Sequence, residues 1–118
     1  MSEPTINADF STFAVMHTAD MDWQASPSPT VWRKRLDLVG PLEASRVTSV
    51  VRYDADSKFP EHPHPDGEEI FVLEGGFRDE HGSYRQGSWV RYPPGSGHAP
   101  CIEQGCLLYV KKGHLSCR

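Results

Sequence analysis

Positive charge is in short supply: 12 Lys and Arg stand against 16 Asp and Glu, for a formal net charge of -4 and a pI near 5.8. Nucleic-acid affinity rests on clustered cations, so no nucleic-acid partner is expected. The single basic cluster, Arg33-Lys34-Arg35, reads as the solvated face of a strand. Long apolar runs are also missing. Stretches such as Leu107-Leu108-Tyr109-Val110 fall far short of the roughly 20 residues of a membrane-spanning helix, so no membrane association is expected either. Residues Met1 to Asp22 lack both a basic start and an apolar centre, which excludes a secretory leader and makes a cytoplasmic location the expectation. Cysteine is scarce and odd in number: Cys101, Cys106 and Cys117, with no CxxC pair, do not form a disulfide framework. They read as ordinary residues, with Cys101 set apart only because it follows a candidate ligand, His98, by three positions.

Helical periodicity is absent as well: no long segment carries a 3.6-residue apolar repeat. Glycine and proline, in contrast, number 10 each in 118 residues, above the typical combined usage of about 12%. Short apolar stretches with two-residue alternation or β-branched residues lie between these breaks. Thr30–Leu38, Val47–Tyr53, Ile70–Leu73, Ser88–Tyr92 and Cys106–Lys111 read as strands. Gly40-Pro41, Pro65-Asp66-Gly67, Gly75-Gly76, His81-Gly82 and Pro93 to Gly97 read as turns between them. In the first strand Trp32, Leu36 and Leu38 take one face, and Arg33, Arg35 and Asp37 take the other. The fold class is therefore all-β, a sandwich or barrel, with an N-terminal arm over residues 1–22 and one strand-rich domain over residues 23–118.

Chemistry concentrates in His62-Pro63-His64-Pro65-Asp66-Gly67-Glu68-Glu69, followed by His98. On an extended backbone His62 and His64 project from the same side, about 6 to 7 Å apart, close enough for both imidazoles to reach one ion. The Pro-Asp-Gly turn returns the chain so that a carboxylate joins them, and two histidines with a carboxylate suit non-haem iron while leaving positions open. The parity of His62, His64, Ile70 and Val72 favours Glu68 over Glu69 as that carboxylate. His98 completes a set of four candidate ligands: His62, His64, Glu68 and His98. Tyr53, Trp89 and Arg91 are candidate pocket-lining residues, and Arg52 and Phe71 lie on neighbouring strands. An inward Arg91 or Arg52 would bind an anionic or oxygen-rich ligand. His17, His81 and His114 read as solvated. The ligand set accepts iron or zinc, and also nickel, manganese or copper, so spacing alone leaves the divalent ion open.

These stretches resemble the two motifs of the cupin superfamily. The first asks for two histidines one residue apart, a glutamate three or four residues on and a glycine after six more, met by Glu68 with Gly75 or by Glu69 with Gly76. The second asks for the spacing seen in Gly87, Pro93, Gly95 and His98. The glycine that usually opens the first motif falls at Asp56, and the asparagine that usually follows the second falls at Ile102. Residues 59–105 look closest to the ChrR-type cupin domain. The resemblance implies a small double-stranded β-helix, or jelly roll, with one divalent metal ion in the barrel mouth, and pairing into a homodimer in which residues 1–22 are an exchange element. It implies two functions. One is an iron-dependent oxidoreductase of dioxygenase type acting on a diketone-like small molecule. The other is a zinc-binding sensor module of the ChrR anti-sigma type, acting on a regulatory protein partner and lacking the sigma-binding domain.

Overall fold

The computed structural model describes residues 5–40 and 46–115, so Pro41 and Cys117 lie outside the described residues. Among the described residues eleven strands follow one 3-10 turn, Thr18–Asp20. They are β1 (Gln24–Ala25), β2 (Val31–Val39), β3 (Arg46–Tyr53), β4 (Ser57–Lys58), β5 (His62–His64) and β6 (Glu68–Asp79), then β7 (Gly82–Arg85), β8 (Trp89–Tyr92), β9 (Ser96–His98), β10 (Cys101–Ile102) and β11 (Cys106–Lys112). Among the described residues none forms an α-helix, and no helix is long and apolar enough to cross a membrane.

Nine strands form one curled sheet and β5 pairs with β9 in a separate ribbon. The curl comes from β6, which pairs antiparallel with β8 and β11 through its first part and with β7 and β10 through its last. The result is the all-β jelly roll expected from sequence. The core fills its inside: Val51, Ile70, Val72, Phe77, Tyr92, Ile102, Leu108 and Val110 are buried in one cluster. Along β11 burial alternates, with Cys106, Leu108 and Val110 inward and Leu107, Tyr109 and Lys111 less enclosed. Each large apolar side chain so buried contributes about 1.5–3 kcal/mol, which fixes the register of the sheet.

Two irregularities depart from the sequence reading. Gly75-Gly76, expected as a turn, lies within β6, and the strand bends there without breaking. Its register against β11 slips between Leu107 and Leu108, leaving Leu73 as an extra residue. The extra residue inverts the parity of β6: Glu68, Ile70 and Val72 face inward before it, and Phe77 after it. A second slip, between Arg35 and Asp37 on β2, does the same around Leu36. Leu38 is buried beyond the slip, whereas Trp32 stands outside, where its Nε1 donates to Asp54 Oδ2 (3.3 Å). The carbonyl of Leu36, loosened by the slip, accepts from Asn7 Nδ2 at 2.8 Å, and Ile6 bridges Leu38.

Candidate metal centre

The ribbon of β5 and β9 builds the site. Its register sets His62 opposite His98, Pro63 opposite Gly97 and His64 opposite Ser96. Alternate residues of an extended chain share a face, so His62, His64 and His98 converge. One nitrogen from each lies within 4.8 Å of the others, and the ring centroids are 4.7 to 5.0 Å apart. The pairing needs glycine at position 97, where an added Cβ would lie 2.8 Å from the His62 carbonyl oxygen. The following turn needs Gly67, whose φ of 79° lies in the left-handed region and whose N–H donates to His64 O at 3.0 Å.

That turn delivers Glu68 as the first residue of β6, facing in. Its Oε1 lies 3.2 Å from His64 Nε2 and 3.5 Å from His98 Nε2. Glu69 faces the other way, and its Oε2 accepts from Arg91 Nε at 2.8 Å. His62 Nδ1 lies 3.2 Å from Pro60 O, so as a donor to that carbonyl it presents Nε2 to the cluster.

A fifth residue, unforeseen in sequence, anchors the group. Asp79, at the far end of β6, has a fully enclosed carboxylate. Its Oδ2 accepts from Tyr92 OH at 2.5 Å and lies 3.2 Å from His98 Nδ1. Its Oδ1 accepts from Tyr84 OH at 3.1 Å and from the His81 N–H at 2.8 Å. A carboxylate on Nδ1 holds the proton there and frees Nε2 as a ligand, the arrangement that orients metal-binding histidines. It supplies the support around His98 that Ile102, standing where the motif has asparagine, does not. The signal was hidden by the extra residue at Leu73, without which Asp79 would fall on the outer face.

Electrostatics separate the histidines. Burial pulls the His64 pKa down to about 4, against the attraction of Glu68. Burial also pulls on His98, but the neighbouring Glu68 and Asp79 carboxylates outweigh it and raise its pKa. Burial disfavours the charged form of Asp79, yet the hydrogen bonds from Tyr92, His81, Tyr84 and His98 hold its carboxyl below the usual range. His64 Nε2 is near Glu68 but not in hydrogen-bonding geometry, so both of its buried ring nitrogens lack a hydrogen-bond partner. A neutral, buried imidazole with free lone pairs beside two more imidazoles and a carboxylate fits a divalent cation.

Beside the cluster opens a cavity of about 410 Å³, lined in part by His62, Glu68, His98, Tyr53, Phe59 and Arg33. Tyr53 thus lies on its wall. Trp89 and Arg91 do not: the pleat of β8 turns Tyr92 inward and both of these outward. Trp89 is 55% exposed, with Arg91 stacked over its ring and Phe71 beside it on β6. Arg52 is outside too, between Trp23 and Trp32. The inward arginine is instead Arg33, expected from sequence on a solvated face. Cys101 is half-buried on a different cavity, away from the histidines. His17 and His81 are exposed as expected, whereas His114 is half-buried with both ring nitrogens unpartnered.

A family model described as ChrR Cupin-like domain matches residues 11–116. The fold is similar to that of the anti-sigma ChrR of Rhodobacter sphaeroides in complex with SigE (21% identity, TM-score 0.65), covering 81% of this chain and 51% of that one. The chain therefore spans about half the length of that relative. It is also similar to a putative acetylacetone dioxygenase from Methylibium petroleiphilum PM1 (16% identity, TM-score 0.72, covering 95% of this chain and 81% of that one). The polyketide cyclase RemF from Streptomyces resistomycificus is a third (20% identity, TM-score 0.66, covering 87% and 81%). At these identities the likeness is one of fold. No curated protein matches the chain.

Proposed function

The chain belongs to the ChrR cupin-like domain family, and from that premise we propose that it is a divalent-metal-dependent oxidoreductase of dioxygenase type acting on a small, oxygen-bearing, diketone-like molecule. The carrying observation is that two of the three clustered imidazoles, His62 and His98, and the Glu68 carboxylate border a ligand-sized cavity. Catalytic metal sites keep such an open approach, and structural zinc sites close it. His62, His64 and His98 with Glu68 would hold the ion, iron in this reading. The bound metal would supply Lewis acidity toward a carbonyl or enolate oxygen and reactivity toward dioxygen.

The remaining work falls to the chain. Asp79 and the Pro60 carbonyl hold protons at Nδ1 of His98 and His62, so that both rings present Nε2. Low basicity keeps His64 unprotonated at neutral pH. Phe59, Ile70, Phe77 and Ile102 on the cavity wall exclude water and offer apolar surface to a substrate. Glu68 brings one negative charge, which lowers the net charge of a divalent site.

A second reading is supported by the likeness to ChrR: the same residues hold zinc, and the domain reports an oxidant or small ligand to a regulatory partner on another chain. Elemental mass spectrometry of untagged protein purified without oxygen separates the two. Stoichiometric iron, lost in the double variant His62→Ala, His64→Ala and accompanied by oxygen uptake with acetylacetone, supports the enzyme. Stoichiometric zinc without oxygen uptake supports the sensor. Protein that holds and accepts no metal overturns both. A cytoplasmic location and a homodimer accompany the proposal. The exposed Phe10, Phe13, Val15 and Met16 of the arm favour the dimer, which a monomer in sedimentation at micromolar concentration would refute.

A further inference from the structure

The cavity beside the histidines carries one half-buried cation with no role in the metal site. Arg33 lies on its wall, brought inward because β2 keeps odd parity until the slip at Leu36. Its Nε is buried and has no hydrogen-bond partner. Among the described residues no carboxylate pairs with it, and Glu68, the one carboxylate on that wall, is within 3.5 Å of His64 and His98. Lys112 also borders the cavity but is exposed, so water screens its charge. The rest of the wall is largely apolar, with Val31, Phe59, Ile70, Phe77 and Leu108. A buried guanidinium nitrogen is ordinarily hydrogen-bonded, because leaving such a donor unpaired is costly. Burial and the neighbouring Arg35 both disfavour this charge.

We propose that Arg33 is the anchor for a carboxylate, so that the ligand of this cavity is a small oxo acid: its carboxylate sits in the guanidinium fork and its oxo group faces His62, His64 and His98. The guanidinium matches a planar carboxylate through two parallel N–H donors. One fork in an apolar wall suits a monoanion better than a phosphate dianion, which demands more donors. The cavity volume accommodates one such molecule. The proposal deepens the metal-dependent reading at the oxo end and rests on it there, whereas the carboxylate end stands on Arg33 alone. Arg33 is here a specificity-determining residue: it selects a charged oxo acid over a neutral diketone of the same skeleton.

The test is calorimetric binding of acetoacetate and of its uncharged methyl ester to protein loaded with zinc, which cannot turn over an oxidation. Wild type should bind acetoacetate roughly 10- to 100-fold more tightly than the ester, the margin of a charge-assisted hydrogen-bond pair. Arg33→Gln should erase the margin while its zinc content stays at the wild-type level. Arg33→Lys, which keeps the charge without the fork, should retain part of it. Equal binding of acid and ester by wild type, a margin that survives Arg33→Gln, or no binding of either at millimolar concentration would overturn the proposal. Should Arg33→Gln fail to fold by circular dichroism, the wild-type margin and the Arg33→Lys variant decide. The same titration on chelator-treated protein separates the two readings: an acid margin persisting there and lost in the variants upholds Arg33 even if the metal reading fails.

Discussion

Substituting Asp79 by asparagine preserves volume and removes a charge that four donors share. An amide has one oxygen, so one pair of those donors must face an NH2 group. Turned toward His81 and Tyr84, the NH2 opposes a backbone N–H that cannot reverse. Turned toward Tyr92 and His98, it forces the imidazole proton onto Nε2, the nitrogen that faces Glu68. Hydrogen bonds to a charged acceptor contribute about 1.5–3 kcal/mol each, and an orphaned buried donor costs about 1–3 kcal/mol. With one or two of the four lost and effects within one network not additive, the expected destabilisation is about 2–4 kcal/mol. That is a large share of the roughly 5–15 kcal/mol of a typical domain. Urea unfolding followed by tryptophan fluorescence, in the presence of chelator, should show a lower midpoint at unchanged slope. Zinc affinity measured against a chromophoric chelator should fall roughly 10- to 100-fold. The nearby Arg78–Glu103 pair is a control: at 2.7 Å it is short, but both side chains are more than half exposed, and Glu103→Gln should leave the midpoint unchanged. A loss of less than about 0.5 kcal/mol in Asp79→Asn would refute the view that this carboxylate clamps the site.

Acid should erode the same advantage. Because the folded state holds the Asp79 carboxyl below its ordinary value of 3.8, the stability it contributes is present above that pH and fades as pH falls below it. The gap in unfolding midpoint between wild type and Asp79→Asn should narrow there, and a gap that widens would contradict the assignment. His64→Leu removes two unpartnered buried nitrogens, so in chelator it should be neutral or stabilise by about 1 kcal/mol while abolishing metal retention. A destabilisation greater than about 1 kcal/mol would show that the imidazole is held by the fold and not reserved for an ion. Gly97→Ala drives a Cβ against the His62 carbonyl and should cost about 1–3 kcal/mol with reduced metal content, and wild-type values of both would show that the ribbon yields freely.

What the sequence disclosed and what it hid divide along one physical line. Local patterns were readable. The strands around β-branched residues, the His62-Pro63-His64 pincer and the Pro65-Asp66-Gly67 turn all follow from spacing within a few residues. The inward side of Glu68, and the outward side of Glu69, follow from parity with Ile70 and Val72 along the first part of β6. The ribbon strands β5 and β9 were not readable, because three residues containing Pro63 or Gly97 carry too little strand propensity to announce pairing. Parity failed wherever an extra residue intervened. Leu36 placed Arg33 inside against expectation, and Leu73 placed Asp79 inside, and neither slip has a marker in the local composition. Trp89 and Arg91 were misplaced for the related reason that β8 alone, four residues long, does not reveal which of its faces meets the core.

The His98 ring is flanked by two carboxylates, Glu68 on its Nε2 side and Asp79 on its Nδ1 side, and both belong to β6, one at each end. That strand therefore works as a caliper whose jaws close on a single imidazole, with Leu73 as the shim that sets the opposing jaw. Length between the jaws becomes a quantity the site reads directly. A point substitution on the outer face of β6 leaves the gauge intact, but deleting one residue between Leu73 and Gly76 swings Asp79 away while the core pairs before it remain in step. Chains of this shape should accordingly tolerate diversity of side chain along β6 far better than diversity of length.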